Sequence, residues 1–146
     1  MRTWTASTTI KGRPEAVLDV LTEPNAIARW APMPFEVERI DSPRLRTGTR
    51  ARVSGCLAGK RVGFDVKVHE AHDERLELTA SGPVAFDVSY DLRPGRDVTE
   101  VLASVAVSGR GLTGRLLAHA TDALLAGGAL QHAVSRIARE VETALA

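Results

Sequence analysis

Two polar side chains of this sequence fall where chemistry inside an apolar core could take place. Tyr90 lies on the apolar side of an alternating, strand-like segment, and Gln131 lies in a helical apolar stripe; Thr8 and Ser135 are the next candidates. A phenol can donate a hydrogen bond or a proton, and an amide both donates and accepts hydrogen bonds. We therefore predict Tyr90 and Gln131 as candidate catalytic residues, although buried phenols and amides often serve packing alone.

The histidine and cysteine residues fit a metal site or a nucleophile poorly. His69 and His72 belong to the run His69-Glu70-Ala71-His72-Asp73-Glu74, a strand that enters a turn, so their side chains point to opposite faces. Cys56 has no paired histidine in sight, and as the only cysteine it forms no internal disulfide. We expect a solvated hairpin end at His69–His72, no metal and no cofactor.

A glycine pattern precedes the last helix. The run Gly109-Arg110-Gly111-Leu112-Thr113-Gly114 follows a strand and matches G-x-G-x-x-G, the fingerprint of dinucleotide sites. That fingerprint also needs a parallel strand with an acidic residue after the helix, and no such strand follows. Nucleotide binding is therefore not predicted, and a weaker option is an anion held at the helix start near Arg110 and Arg115.

Length and charge limit the function classes. The 146 residues suit one domain, 1–146, and the net charge of +1, from 19 basic and 18 acidic residues, shows no bulk footprint for nucleic acid or a membrane surface. No segment is apolar enough to span a bilayer, and Met1–Ser7 lacks an apolar signal core. We expect a cytoplasmic protein without a nucleic-acid partner or a membrane span, with a homodimer left open.

The hydrophobic pattern predicts an α+β domain. A strand over Thr3–Lys11 is followed by two short helices that begin at Pro14 and Pro24. Turn signals then divide Phe35–Gly109 into six strands of a meander. Alternation places Val62, Phe64, Val66 and Val68 on one face, and Val84, Phe86, Val88, Tyr90 and Leu92 likewise. Arg50, Arg52 and Arg61 fall on the opposite, wet face.

The last quarter of the chain predicts one long helix from Leu112 to Leu145, roughly 50 Å long. Its apolar stripe comprises Leu116, Ala120, Leu124, Gly127, Leu130, Val134, Ala138, Val141 and Leu145. Such a helix must bury this stripe on the sheet. Gly127-Gly128 interrupts good helix formers, and we consider close packing, a kink, or room for a ligand or a flexing gate at that point.

These features together resemble a known superfamily. A strand, a helix pair carrying Pro24-Asn25-Ala26-Ile27-Ala28-Arg29-Trp30, six strands, and a terminal helix opening Gly111-Leu112-Thr113-Gly114-Arg115-Leu116-Leu117 are similar to the START-like superfamily called SRPBCC, and to its polyketide cyclase/dehydrase-like branch. The resemblance implies a helix-grip fold, a seven-stranded antiparallel sheet wrapped around a long C-terminal helix, with two short helices between strands 1 and 2. It also implies a cavity for hydrophobic small molecules.

A cavity is plausible on physical grounds as well. One helix about 10 Å wide cannot fill the concavity of a seven-stranded sheet, and this sequence has few large side chains. We predict the cavity between the sheet and the C-terminal helix. The predicted ligand-binding residues are Trp30, Met33, Phe35, Phe64, Val66, Phe86, Val88, Leu124, Gly127 and Gly128.

Three functions fit these predictions. The first is a carrier that binds a polyketide-like, aromatic or lipid molecule. The second is an aromatase/cyclase or dehydratase-like lyase, in which Tyr90 with Gln131 assists enolisation or water loss. Enzymes of the kind that the chain resembles also use a cavity arginine, which the predicted faces do not supply unless a bulge turns one inward. The third is an accessory subunit of a larger enzyme, for which an exposed apolar patch would be the sign.

Overall fold

Proline and glycine set most element boundaries along the chain. The computed structural model describes residues 2–57 and 59–145. The elements, in chain order, are β1 (Arg2–Lys11), α1 (Pro14–Thr22), α2 (Pro24–Trp30), β2 (Phe35–Ile40), β3 (Arg50–Leu57), β4 (Lys60–His72), β5 (Arg75–Ser81), β6 (Val84–Pro94), β7 (Val98–Gly109), α3 (Gly111–Ala126) and α4 (Ala129–Leu145).

The seven strands form one antiparallel sheet in the order β1-β7-β6-β5-β4-β3-β2. Strands β2 to β7 form the predicted meander, and β1 pairs with β7 from Arg2↔Val107 to Lys11↔Val98. The inner face is apolar, and α1, α2, α3 and α4 cover it. The α+β class and the helix-grip fold predicted from the sequence are confirmed.

Two β-bulges keep apolar side chains on the inner face. The register shifts between Val37 and Arg39 in β2, and between Val68 and Glu70 in β4. Without the extra residue in β2, Ile40 would point outward with the even-numbered positions, because successive side chains alternate. The bulge therefore lets Val37 and Ile40 face the same interior.

The two short helices meet at Glu23, which serves both. Its backbone N–H closes the last turn of α1, and its carboxylate accepts hydrogen bonds from the N–H groups of Asn25 (3.1 Å) and Ala26 (2.7 Å) at the start of α2. Such a side-chain cap satisfies amides that the helix itself leaves free. The α1–α2 corner is thereby fixed, and α1 buries Val17, Val20 and Leu21 as predicted.

The predicted long C-terminal helical segment is present, but it is broken near its middle. Gly128 has φ +93°, a conformation that favours glycine, so α3 ends at Ala126 and α4 begins at Ala129. In α4 the predicted stripe is buried at Leu130, Val134 and Val141. The side chain of Leu145, the last predicted stripe residue, lies outside the described part of the chain.

In α3 the predicted buried face is wrong. Leu116 is 64% exposed and Leu124 is also exposed. The buried residues of α3 are Gly114, Leu117, Thr121 and Leu125. Leu116 and Leu124 belong to one four-residue series, and Leu117, Thr121 and Leu125 form another. Periodicity alone does not distinguish the two series, because α3 carries apolar residues on two sides.

Helix α4 lies along the outer edge of β1. The Gln131 side-chain amide donates to the Ser7 carbonyl (Nε2 to O, 3.3 Å), and the Lys11 N–H donates to the Glu142 carboxylate (3.1 Å). These side chains satisfy backbone groups that an edge strand would otherwise present to other chains. None of the four described helices combines the length and the apolarity that crossing a bilayer requires.

Close packing explains the glycines between β7 and α3. A Cβ atom on Gly109 would collide with the Gly114 carbonyl oxygen, and one on Gly114 would collide with the Pro83 carbonyl oxygen. The first turn of α3 therefore lies directly on the backbone of the β5–β6 and β7–α3 turns. The G-x-G-x-x-G pattern has a structural reason here that needs no nucleotide.

Candidate functional site

An apolar cavity of about 230 Å³ lies between the inner face of β2–β6 and the α1–α2 corner. The sheet contributes Phe35, Val37, Ile40, Ala51, Val53, Gly55, Phe64, Val66, Leu76, Leu78, Ala80, Phe86, Val88 and Tyr90; the corner and its flanking loops contribute Leu21, Pro24, Ile27, Trp30, Ala31, Pro32, Met33 and Leu45. Val37 is 41% exposed, so the rim of the cavity lies at β2. This rim is formed by the short edge strand of the sheet.

The position of the cavity corrects the sequence prediction. We expected it between the sheet and the C-terminal helix, but among the described residues none of those that line it belongs to α3 or α4. Helix α3 packs against β6 and β7, and α4 packs against β1 and the two short helices. Apart from a small contact between α3 and β3, the space over β2–β5 is therefore left to the α1–α2 corner.

The predicted site residues divide into two groups. The residues that line the cavity are Trp30, Met33, Phe35, Phe64, Val66, Phe86, Val88 and Tyr90. Leu124 and Gly127 instead line a shallow groove with Pro32, Ala123 and Ala129, and Gly128 follows at the helix break. Gln131 is exposed and bonds to β1, so the expectation that it reaches the cavity beside Tyr90 is wrong. Gln131 directly follows Leu130, and Leu130 is the residue that α4 buries.

Tyr90 carries the polar group of the cavity. It lies on β6 between Leu76 of β5 and Ala103 of β7, and its side chain is 4% exposed. Its hydroxyl finds no hydrogen-bond partner among the described residues, and burial alone raises its pKa. Every fully enclosed polar side-chain atom in residues 2–57 and 59–145 has a hydrogen-bond partner. Because the Tyr90 hydroxyl has none, it is not fully enclosed by protein atoms, and it borders the cavity that Tyr90 lines. It is a neutral donor with a free proton.

Trp30 forms the wall opposite the sheet and is held at both ends. Its indole N–H donates to the Val20 carbonyl (2.9 Å), and its ring meets the Tyr90 ring edge-on, with centroids 5.7 Å apart. From α4, Arg136 donates to the carbonyls of Trp30 (3.3 Å) and Ala31 (3.1 Å) at the end of α2. A cation suits these free helix-end carbonyls. Arg136 therefore fixes α2, and with it the cavity wall.

No charged side chain among the described residues lines the cavity. Arg52 pairs with Asp65 (3.2 Å) and Arg61 with Glu36 (2.7 Å) on the outer sheet face, as the alternation predicts. No group of three His, Cys, Asp or Glu side chains in the described ranges is placed to hold a metal ion. The site can enclose an apolar molecule and donate one hydrogen bond to it.

Sequence reasoning missed several small residues of the wall. Ala51, Gly55 and Ala80 lie on the inner face of β3 and β5, and their small side chains leave the space that larger residues would fill. The period-two pattern could have placed them on this face, but small size alone gave no sign of a cavity. Ile27 was also missed, although it faces inward one turn before Trp30.

Comparison with solved structures identifies close matches to the fold. Protein CV1439 from Chromobacterium violaceum matches with a TM-score of 0.72 and 19% identity over 97% of this chain and 99% of that chain. Zhui aromatase/cyclase from Streptomyces sp. R1128 matches with a TM-score of 0.71 and 12% identity over 99% and 96%. At these identities the likeness shows the fold alone.

A third structure, DynU16 from the dynemicin biosynthetic locus, matches with a TM-score of 0.61 and 22% identity, over 97% of this chain and 48% of that chain. No curated protein matches the sequence significantly. The family model described as polyketide cyclase / dehydrase and lipid transport matches residues 1–142. The resemblance inferred from the sequence is thus confirmed, and the chain belongs to the polyketide cyclase / dehydrase and lipid transport family.

Proposed function

We propose that this protein is a carrier that binds one small apolar molecule with a hydrogen-bond acceptor, in the cavity under the α1–α2 corner. The observation that carries the proposal is the unpaired Tyr90 hydroxyl in an otherwise apolar cavity of about 230 Å³. Ligand sites are typically apolar, with few polar groups that fix orientation. The single donor selects for a carbonyl, quinone or phenol oxygen.

The volume limits the ligand to one or two fused rings or a short chain. An apolar cavity of about 150 Å³ is enough to hold benzene. A cavity of about 230 Å³ therefore suits a molecule somewhat larger than a single ring. Entry past β2, where Val37 lies at the rim, would leave a longer tail in solvent.

The wall favours binding over turnover. General acid–base catalysis needs a group that holds or releases a proton near neutral pH. Burial raises the pKa of Tyr90, which keeps the phenol protonated, and no second titratable side chain among the described residues lines the cavity. A neutral donor that cannot pass on its proton orients a ligand.

A cyclase or dehydratase-like lyase is the second candidate. Membership in the polyketide cyclase / dehydrase family supports it, and so does the fold shared with Zhui aromatase/cyclase. In this role the Tyr90 hydroxyl would donate a hydrogen bond to a carbonyl oxygen of the substrate and stabilise negative charge that develops on it, and the apolar wall would fold the flexible chain. Gln131, which lies outside the cavity, takes no part in this version.

A thermal-shift screen with matched compounds tests the proposal. Each aromatic hydrocarbon is paired with the phenol, ketone or quinone of the same skeleton. A ligand at about 100 times its Kd adds about 2.7 kcal/mol of stability, which for a domain of this size raises Tm by roughly 5–10 °C. We expect one skeleton size to respond, and its oxygenated member to respond more.

Two alanine-to-leucine variants supply the control. Ala51→Leu places a larger side chain in the cavity and should abolish the shift, whereas Ala85→Leu, outside the cavity on β6, should leave it intact. A response that survives Ala51→Leu would place the ligand elsewhere and refute the site. Consumption of a bound compound during incubation would favour the lyase over the carrier.

A further inference from the structure

The outward side of α3 is apolar, although nothing in the described residues covers it. Leu112 is 88% exposed and Leu116 is 64% exposed, and Ala120, Ala123 and Leu124 continue the same side toward the helix end. We call these five residues the α3 leucine face. Two leucines exposed one helical turn apart are unusual on a monomer surface, where contiguous apolar patches mark interaction sites.

The α3 leucine face has no role in holding the helix to the sheet. That task belongs to the opposite side, where Leu117, Thr121 and Leu125 are buried. The Gly114 backbone lies against Pro83 at the first turn. The exposed leucines therefore add nothing to the packing of the domain.

Cations border the α3 leucine face. Arg110 precedes the helix and Arg115 lies in its second turn, both exposed. The one carboxylate of α3, Asp122, accepts a hydrogen bond from the Trp4 indole (2.9 Å), and Arg2 stacks over that ring at 5.0 Å. The net charge of +1 for the whole chain hides this local asymmetry. Among the described residues no carboxylate forms an ion pair with Arg110 or Arg115, so the face combines exposed leucines with arginines that keep their full charge.

The charges that border the α3 leucine face distinguish between two partners, a second copy of this chain and an anionic lipid surface. In a dimer of two such faces, α3 of one copy would offer no free carboxylate to the arginines of the other, because Asp122 is already engaged by Trp4. An anionic lipid surface instead offers negative headgroups to Arg110 and Arg115 and hydrocarbon to Leu112 and Leu116. Helices with this division of residues lie in the plane of the bilayer interface.

The α3 leucine face also leads to the cavity. Ala123 and Leu124 line a groove with Pro32, and Pro32 lines the cavity as well. The groove lies at the Gly127-Gly128 break, where α3 ends and α4 begins. This groove, which His132 and Arg136 also line, thus lies between the end of the α3 leucine face and the loop that closes α2.

We propose that the α3 leucine face docks this protein on anionic lipid membranes, where the apolar ligand is taken up or delivered. The second half of the statement rests on the proposed carrier function, and the docking itself does not. The helix would lie along the surface, with Leu112 and Leu116 among the acyl chains and the arginines at the headgroups.

Vesicle co-sedimentation, without any added ligand, tests the docking. The wild type should sediment with vesicles of phosphatidylcholine and phosphatidylserine, much less with phosphatidylcholine alone, and less as salt rises. The double variant Leu112→Glu/Leu116→Glu should partition at least about tenfold more weakly. Leu102→Glu, at an exposed leucine on the outer sheet face, is the matched control and should sediment like the wild type.

Three results would overturn the docking. One is no sedimentation of the wild type with either vesicle; another is sedimentation that the double variant retains. The third is a dimer in light scattering that the double variant dissociates, which would assign the face to a second copy. The thermal-shift screen on the wild type separates the two proposals: a ligand response in a protein that does not bind vesicles refutes only the docking, and vesicle binding without any ligand response refutes only the carrier. The double variant should keep the ligand response of the wild type, because its substitutions lie outside the cavity.

Discussion

Replacing Tyr90 with phenylalanine removes the single donor of the cavity and little else. The ring stays available for its edge-on contact with Trp30, and no hydrogen bond within the described residues is lost. The change therefore leaves the shape of the cavity wall almost unaltered. It separates recognition of an oxygen atom from recognition of an apolar skeleton.

The size of the effect follows from the environment of the hydroxyl. A hydrogen bond from a neutral donor contributes about 0.5–1.5 kcal/mol net, so an oxygenated ligand should bind Tyr90→Phe roughly 2- to 12-fold more weakly. A hydrocarbon of the same skeleton should bind equally well. The ligand-free protein should gain up to about 1 kcal/mol, because an unpaired polar group leaves the interior.

Titration calorimetry of both proteins with both ligands completes a double-mutant cycle. The coupling energy between hydroxyl and ligand oxygen should equal the 0.5–1.5 kcal/mol above. A coupling below about 0.3 kcal/mol, within the usual error of additivity, would show that the ligand oxygen does not meet Tyr90. Equal weakening of hydrocarbon and oxygenated ligand would show that the residue acts through packing.

Three further changes test other parts of the structure. Tyr90 is the only tyrosine, and because burial raises its pKa, the folded protein keeps the phenol proton that the unfolded chain releases above pH 10.0. The free energy of unfolding should therefore fall by about 1.4 kcal/mol per pH unit above that pH. Phenolate absorbance should appear only with unfolding, and Tyr90→Phe should lack this loss of stability. Arg136→Ala removes two hydrogen bonds to the end of α2. It should lower the free energy of unfolding by about 1–2 kcal/mol and speed ligand release, whereas Arg139→Ala, at an exposed position, should change it by less than about 0.5 kcal/mol. Equal effects of the two variants in denaturant titrations would show that Arg136 does not fix α2. Gly128→Ala should destabilise the protein by about 1–2 kcal/mol because Gly128 has a positive φ, while Gly127→Ala should leave stability unchanged. A larger loss of stability for Gly127→Ala than for Gly128→Ala in calorimetry would contradict a helix break at Gly128.

Local signals in the sequence predicted most of the fold. Pro14 and Pro24 mark the starts of α1 and α2, and the alternation in β4 and β6 gives the inner face correctly. These signals work because proline fixes its own φ and because a strand has a strict period of two. Neither depends on what the element packs against.

The errors concern choices that only packing makes. Leu116 and Leu117 both begin plausible four-residue series, and the sheet buries the second. Gln131 adjoins the buried stripe of α4, but its side-chain amide donates a hydrogen bond to the edge strand β1 instead of entering the core. The cavity lies under α2 because the broken helix leaves that part of the sheet to the shorter elements. The residues of the sheet wall were predictable, but the element that covers them was not.

The pairing of β1 with β7 has a consequence for how the chain is made. Positions that pair across these strands, such as Arg2 and Val107, lie roughly 100 residues apart. The other edge of β1 is covered by α4, which is made after β7. During synthesis β1 therefore stays unpaired on both edges until β7 has been made, while the meander from β2 to β6 can already assemble.

Such distant pairing slows folding, because closing the loop costs entropy before any contact repays it. The waiting strand, Arg2–Lys11, is rich in threonine and serine on its outer face and carries few large apolar residues. That composition limits its tendency to pair with other nascent chains. The completed sheet, with its first strand in place, exists only after β7 has left the ribosome.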